Sequence, residues 1–567
     1  MSNLAAVIAA ARGDEPVDLL LTDARVVNLF TGSIDQTQVA VFQGRVVGFG
    51  DYQAKATLSL QGAYLTPGLI DGHMHIESSM VTPDQFALAV VPKGTTAIVA
   101  DPHEIANVRG LEGIRYMLEA AQDSPLDVFV MVPSCVPATH METAGASLSA
   151  QDLASLKDPR ILGLGEMMDF PGVVAGRPEV LAKLEAIAGR LDGHAPKLSG
   201  KQLYAYVAAG IESDHECTTP SEASEKLALG MYLLLREGSV TRDLGPLLPV
   251  VNPRTLRRCM FCTDDREPAD LIDEGHIDFL VRKAVSLGCQ PIDALTMASL
   301  NAAEYFRLKG RGAIAPGYLA DLVVTRSLED FRAEMVFKRG RLVAREGQPL
   351  WQASGHPGTT VRNTVNFAAL DESSLRITDE GDRARVIGLI PNQIVTSHLV
   401  EEVTRKDGEI VADPERDQLK LAVVERHHAS GQIGLGLARG FGLKHGALAS
   451  TVGHDSHNLV LLGTNDADMR AAAEAVREMQ GGWVVVAGGE VKARLPLPIG
   501  GLMSDHPLAE VRQANQDLLA ATRELGGTAS HPFMSLSFLA LPVIPSLKLT
   551  DQGLVDVDRF EVVGLTV

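Results

Sequence analysis

The chain has 567 residues, 46% apolar and 22% charged, a soluble globular composition too long for one core and in keeping with three or four domains. Its formal net charge of -20 argues against a protein that tracks nucleic-acid phosphates or an anionic membrane surface, because both need basic patches. No apolar run is long enough to span a membrane, Met1 to Arg12 lacks the pattern of a secretory signal, and five cysteines without repeated spacing form no disulfide framework, so a cytoplasmic protein is expected.

Residues 17–32 and 37–50 are short apolar or alternating runs broken by Gly- and Asp-bearing turns, the pattern of paired strands. The same texture returns at 318–327 and 333–348. The two pieces are expected to pair into one small β domain, made of residues 1–65 and 310–352. Between them, over 66–309, apolar runs alternate with helical patterns, which predicts βα units and a parallel sheet. Eight runs stand out: 65–72, 95–100, 127–133, 161–166, 189–194, 210–215, 246–252 and 257–264. The stretches 111–122 and 223–238 read as helices between them. Eight units in this length match a (β/α)8 TIM-like barrel. Cys259 and Cys262 form a lone C-x-x-C in the last predicted strand and read as structural filling. After a turn-rich linker at 353–364, residues 365–567 read as a C-terminal α+β domain. It has strands at 419–427, 458–463 and 482–489 and a helix at 465–480 that Gly481-Gly482 can end.

Barrel enzymes place their chemistry at the C-terminal strand ends. The first predicted strand ends Asp71-Gly72-His73-Met74-His75. Positions i and i+2 of a strand face the same way, so His73 and His75 can share one ion. The later strand ends carry Glu166, His194, His215 and Asp264. Alone, a single histidine at a strand end is more often hydrogen-bonded filler. Ligand-type residues at five of eight strand ends predict a metal site. All the donors are nitrogen or oxygen, which suits zinc, iron or manganese. Six donors exceed the need of one tetrahedral ion and fit two divalent ions about 3.5–4 Å apart. Such ions lower the pKa of bound water to about 7 and so supply hydroxide to an electrophilic carbon. Asp264 is the expected proton shuttle between the hydroxide and the leaving group. Asp265 reads as a structural cap or turn carboxylate.

The run PGLIDGHMHIE (67–77), with LNAAEYFRL (300–308) and GRGAIAPGYLADLVV (310–324), resembles the opening and closing motifs of the amidohydrolase superfamily. Within it, HIESSMVTP (75–83), VADPHEIANV (99–108), GLGEMMDFPGV (163–173), LDGHAP (191–196) and ESDHECT (212–218) resemble the adenine deaminase family. So do TVGHDSHNLVLLG (451–463), LPIGGLMSD (497–505) and FLALPVIPSLKLTD (538–551) of the third region. The resemblance implies a two-metal site, with iron or manganese the usual ions, and conversion of adenine to hypoxanthine and ammonia. It gives the ligand roles to His73, His75, Glu166, His194, His215 and Asp264. Glu166 stands where many superfamily members carry a bridging modified lysine, which disfavours the alternative of a hydantoinase- or dihydroorotase-like cyclic amide hydrolase. Attack at C6 of adenine requires a proton at N1. His103, Glu104 and Glu216 are the expected donors, with support of a metal ligand as their other reading. His454, Asp455, His457 and Asn458 either cover the barrel mouth or form a cap or separate metal site. The expected partner is a small purine, with no nucleic acid or membrane, and the expected assembly is a homodimer.

Overall fold

The computed structural model describes residues 4–378, 380–391 and 393–567. Strands Leu19–Asn28, Ser33–Phe42 and Arg45–Phe49 pair antiparallel in sequence. Their sheet has nine strands and also takes Leu322–Thr325, Met335–Lys338 and Arg341–Arg345. The seam is Leu322–Thr325 lying antiparallel to Tyr64–Pro67, with Val323 opposite Thr66. Lys338 reaches from this sheet to Thr96 O (2.7 Å) on a barrel strand and to Asp321 (3.0 Å), which ties the sheet to the barrel.

The central region has eight parallel strands. Five form one curled sheet: Leu69–Met74, Thr95–Ala100, Asp127–Val132, Ile161–Met167 and Arg190–Gly193. Three form a second: Ser213–Asp214, Tyr232–Arg236 and Cys259–Cys262. Backbone bonds cross both gaps. Glu212 N–H donates to Leu191 O at 2.9 Å, Asp264 N–H to His73 O at 3.1 Å and His75 N–H to Asp264 O at 3.1 Å. The result is a TIM-like α/β barrel. Its strands are buried over most of their length, with half-buried residues mainly at their starts, as a sheet covered by helices requires.

One expected strand is misplaced. Residues 246–252 contain the end of a short helix, Leu244–Leu247, and a single 3-10 turn, Leu248–Val250. The seventh strand is Tyr232–Arg236, which lies inside the stretch predicted as one helix over 223–238. That helix ends at Ala228, and Gly230, at φ +88°, turns the chain out of it. Leu and Arg favour helices intrinsically, but burial in the barrel wall overrides that preference here.

The C-terminal region is built on an eight-stranded sheet. Its central strands include Leu419–Val424, Leu459–Gly463, Ala447–Ser450 and Gly482–Ala487. Helix Asp466–Glu478 is capped by the Asn465 side chain and buries Met469, Ala472, Ala473 and Val476 against Ala449, Leu461 and Val484. The opposite face, with Leu448, Leu462 and Val485, belongs to the same core as Val511 and Leu518 of helix Leu508–Glu524. A three-stranded antiparallel sheet, from Leu547 to Val563, closes the chain. Among the described residues no helix is long and apolar enough to cross a membrane.

Candidate active site

The structure brings all six sequence-predicted ligands to one end of the barrel. His73 and His75 leave the first strand on the same side. His75 Nδ1 lies 2.8 Å from the Asp101 carbonyl. An N–H donated there leaves the Nε2 lone pair facing inward, an orienting contact of the kind metal-bound imidazoles use. Glu166 is held by its own backbone, whose N–H donates to Asp101 Oδ2 at 3.0 Å. Gly165 makes this possible, because a Cβ there would sit 2.0 Å from the same oxygen.

The carboxylate of Glu166 faces two pairs of imidazoles. Oε1 lies 3.2 Å from His73 Nε2 and 3.1 Å from His75 Nε2. Oε2 lies 2.8 Å from His194 Nδ1 and 3.5 Å from His215 Nε2. Asp264 Oδ1 is 3.3 Å from His73 Nε2 and 3.2 Å from His75 Nε2. Donors bound tetrahedrally to one ion at about 2.0–2.2 Å lie about 3.3–3.6 Å from one another. The distances from His73 and His75 to Glu166 and Asp264, 3.1–3.3 Å, lie at or just under the short end of that spacing. His194 and His215, on the other Glu166 oxygen, provide a second position.

The charge balance also fits cations. Burial is the largest influence on His73 and works to lower its pKa, yet Glu166 and Asp264 together raise it to about 10. Burial opposes ionisation of Glu166 too, but His215, His73 and His194 hold it well below the usual carboxylate range. Arg236, His73 and His75 do the same for Asp264. The pocket therefore favours positive charge even though it is buried. His73 Nε2, Glu166 Oε1 and His194 Nε2 are buried without a hydrogen-bond partner, and several of the carboxylate and imidazole groups are spaced to hold an ion.

Arg236 is the residue that sequence reasoning missed. It ends the seventh strand, is 2% exposed, donates from Nη1 to Asp264 Oδ2 at 3.0 Å and to Glu216, and from Nη2 to Asp243 at 3.0 Å. The signal available was Gly230 followed by the apolar run Met231–Leu235. Glu216 is also near His215 Nε2 (3.4 Å) and His194 Nδ1 (3.7 Å). Asp265 is buried and accepts from the Ser78 hydroxyl, a link between two loops at the site edge. His103 stands beside His75, ring centroids 4.5 Å apart, and Glu104 turns toward the C-terminal region, where it meets His454 and His457. Asn458 Nδ2 donates to Thr143 O at 2.9 Å, so the 454–458 cluster packs directly on barrel loops. Cys259 and Cys262 are buried in the barrel wall and unpaired.

A cavity of about 870 Å³ opens beside the histidine–carboxylate cluster, lined by Met168, Phe170, Glu216, Arg236, Ile394 and His531 among others. It adjoins an inner recess walled by His75, Glu166, His194, His215 and Asp264. Met168, Glu216, Arg236 and Ile394 belong to both. The outer space is the size of a small-molecule site.

Residues 64–343 match the model of the amidohydrolase family, and residues 393–561 match that of the adenine deaminase C-terminal domain. Adenine deaminase from Desulfatibacillum aliphaticivorans is 52% identical over 563 residues, 99% of each chain. The chain belongs to the adenine deaminase family of the amidohydrolase superfamily. Adenine deaminase 2 of Carboxydothermus hydrogenoformans is 53% identical, again over 99% of both chains. Among solved structures, enamidase aligns at 14% identity and a TM-score of 0.45, covering 59% of this chain and 98% of its own.

Proposed function

We propose that the chain deaminates adenine to hypoxanthine and ammonia, with two divalent ions held at the barrel mouth. The observation that carries the metal assignment is the Glu166 carboxylate, one oxygen on the His73–His75 pair and the other on the His194–His215 pair. We assign His73, His75 and Asp264 to one ion, His194 and His215 to the other, and Glu166 to both. The nitrogen and oxygen donor set suits manganese or iron, with zinc also compatible. When bound, the ions would supply a water that ionises near neutral pH.

The rest of the work falls to side chains. Addition of water across C6 and N1 makes C6 tetrahedral, with one water proton passing to N1 and the other reaching the amino group, which leaves as ammonia. Asp264, whose Oδ1 points into the cluster while Arg236 steadies Oδ2, takes the proton of the attacking water and passes it to the departing nitrogen. Glu216 lines both the cavity and the recess, so we assign it the N1 edge of the ring. Glu104 lines only the recess. Apolar Met168, Phe170 and Ile394 would enclose the purine and exclude bulk water. The test is ammonia release from a panel of adenine, adenosine, hydantoin and dihydroorotate. Turnover is expected with adenine, accompanied by hypoxanthine. Hydrolysis of a cyclic amide with no ammonia from adenine would reverse the assignment.

A further inference from the structure

The six residues assigned to the metal pair leave a second group of donors unused. His103 separates the two. Its Nδ1 edge looks toward the pair, 3.6 Å from Glu166 Oε1 and 3.7 Å from Asp101 Oδ1. Its Nε2 edge looks the other way, 3.4 Å from Glu104 Oε1 and 3.7 Å from Asp455 Oδ1. Donor atoms of His103, Glu104 and Asp455 all lie within 4.8 Å of one another, and all three residues are buried. Two more imidazoles stand on the Glu104 carboxylate, His454 at Oε1 and His457 at Oε2.

Hydrogen bonding does not account for this cluster. Both Glu104 oxygens, Asp455 Oδ2, His103 Nδ1, His454 Nε2 and His457 Nε2 are buried and make no hydrogen bond. Glu104 is met there by imidazoles, those of His103, His454 and His457, at ion-pair distance. Glu104 and Asp455 are 1% exposed each, and buried polar atoms left without a hydrogen bond, such as Asp455 Oδ2 and His454 Nε2, are costly. A cation satisfies such groups at once. The separations of 3.4 and 3.7 Å are close to the spacing of about 3.3–3.6 Å expected of donors sharing one ion.

We propose that the barrel mouth holds a further divalent cation, on the face of His103 turned away from Glu166, ligated by His103 Nε2, Glu104 and Asp455 with His454 and His457 completing its surroundings. The donors come from two regions of the chain. His103 and Glu104 open the helix that follows the second barrel strand, and residues 454–457 belong to the C-terminal domain. The ion joins the two, which gives that domain a role at the site beyond covering it. The inference goes beyond the proposed deamination and does not depend on it, because its readout is a count of bound ions.

The experiment uses the full chain, stripped of metal by chelation and dialysed to equilibrium against excess Mn(II), with bound manganese measured per chain. Three ions are expected for the parent. Asp455→Asn, which removes one donor charge at almost constant shape, is expected to bind two. Glu166→Gln is expected to lose ions from the pair and keep the one at His103, which Glu104→Gln in the same background then removes. A parent that binds only two ions overturns the proposal and leaves the metal pair intact. A count of three that Asp455→Asn and Glu104→Gln both leave unchanged overturns it as well, since the third ion would then lie elsewhere. If Asp455→Asn fails to fold, the parent count together with Glu104→Gln decides.

Discussion

In the proposed function, Asp264 is the side chain on which binding and proton transfer meet. Oδ1 faces His73 and His75, and Oδ2 is fixed by Arg236. Asp264→Asn keeps the shape but cannot accept a proton, so turnover should fall by roughly 10²–10⁴-fold, the usual worth of general acid–base catalysis. The measurement is adenine turnover with metal content confirmed as equal to the parent's. Activity within about tenfold of the parent would take Asp264 out of the chemistry and leave it a ligand. At this scale much was legible. Histidines two apart on a strand must face one way, and turn-flanked Glu166, His194, His215 and Asp264 stand at strand ends by local pattern alone. Arg236 was not legible, because reading it as a site residue requires knowing that Tyr232–Arg236 is a strand. The approach of His454, Asp455 and His457 to Glu104 was not legible either. The sequence marks that cluster as dense and polar, but some 350 positions separate it from its partner, and only tertiary packing decides where it lands.

At the scale of elements, the fourth barrel strand shows how a backbone choice sets chemistry. Ile161–Met167 carries Gly165 immediately before Glu166. A methyl group at Gly165 would meet Asp101 Oδ2 at 2.0 Å and its Cγ at 2.7 Å, on a side chain that is fully buried. Asp101 is fully buried, accepts from the Glu166 backbone, and through its carbonyl orients His75. Gly165→Ala is therefore expected to shift Asp101 and, with it, both Glu166 and His75. Bound metal should fall below that of the parent and adenine turnover should fall with it, while the circular dichroism of the folded chain is kept. Full metal content in Gly165→Ala would show that Asp101 does not set the position of the ligands. The barrel itself was readable from seven of its eight strands. They are short apolar runs bounded by turn residues, and helical patterns separate most of them. The seventh escaped because YLLLR has a composition that also suits a helix, so that period and propensity gave no contrast. The C-terminal helix Asp466–Glu478 was legible from the helical pattern over 465–480 and from Gly481-Gly482, which can end it. The outer strands of that sheet, such as Glu490–Pro496, were missed because mixed polar runs carry little periodic signal.

Across the whole molecule, the C-terminal domain is bound to the barrel mouth by polar contacts from several segments. Asp551 Oδ1 accepts from Thr143 N–H at 3.0 Å, Thr550 Oγ1 donates to Met141 O at 2.6 Å, and Asn458 reaches Thr143 O. Lys548, on the strand that leads to Thr550, holds the roof of the recess together. Its Nζ donates to Ile394 O at 2.9 Å and Phe538 O at 2.8 Å, and both of those residues line the recess. Among the described residues no carboxylate compensates it, and burial pushes its pKa from 10.5 down to about 7. A neutral amine still has two hydrogens to donate, so both contacts survive deprotonation. Between about pH 7 and 10.5 the unfolded chain binds the proton that the folded chain has released. Stability contributed by this residue must then rise with pH across that window, and it is lost as pH falls back toward 7. The slope cannot exceed about 1.4 kcal/mol per pH unit. Lys548→Met removes the titration while keeping most of the volume. The difference in urea midpoint between parent and Lys548→Met, taken at pH 7, 8 and 9, is expected to move steadily in the parent's favour as pH rises. Other titrating groups are common to both proteins and cancel in that difference. A difference that stays constant over the three values would mean that Lys548 remains charged in the folded chain, with a pKa near its ordinary value despite its burial.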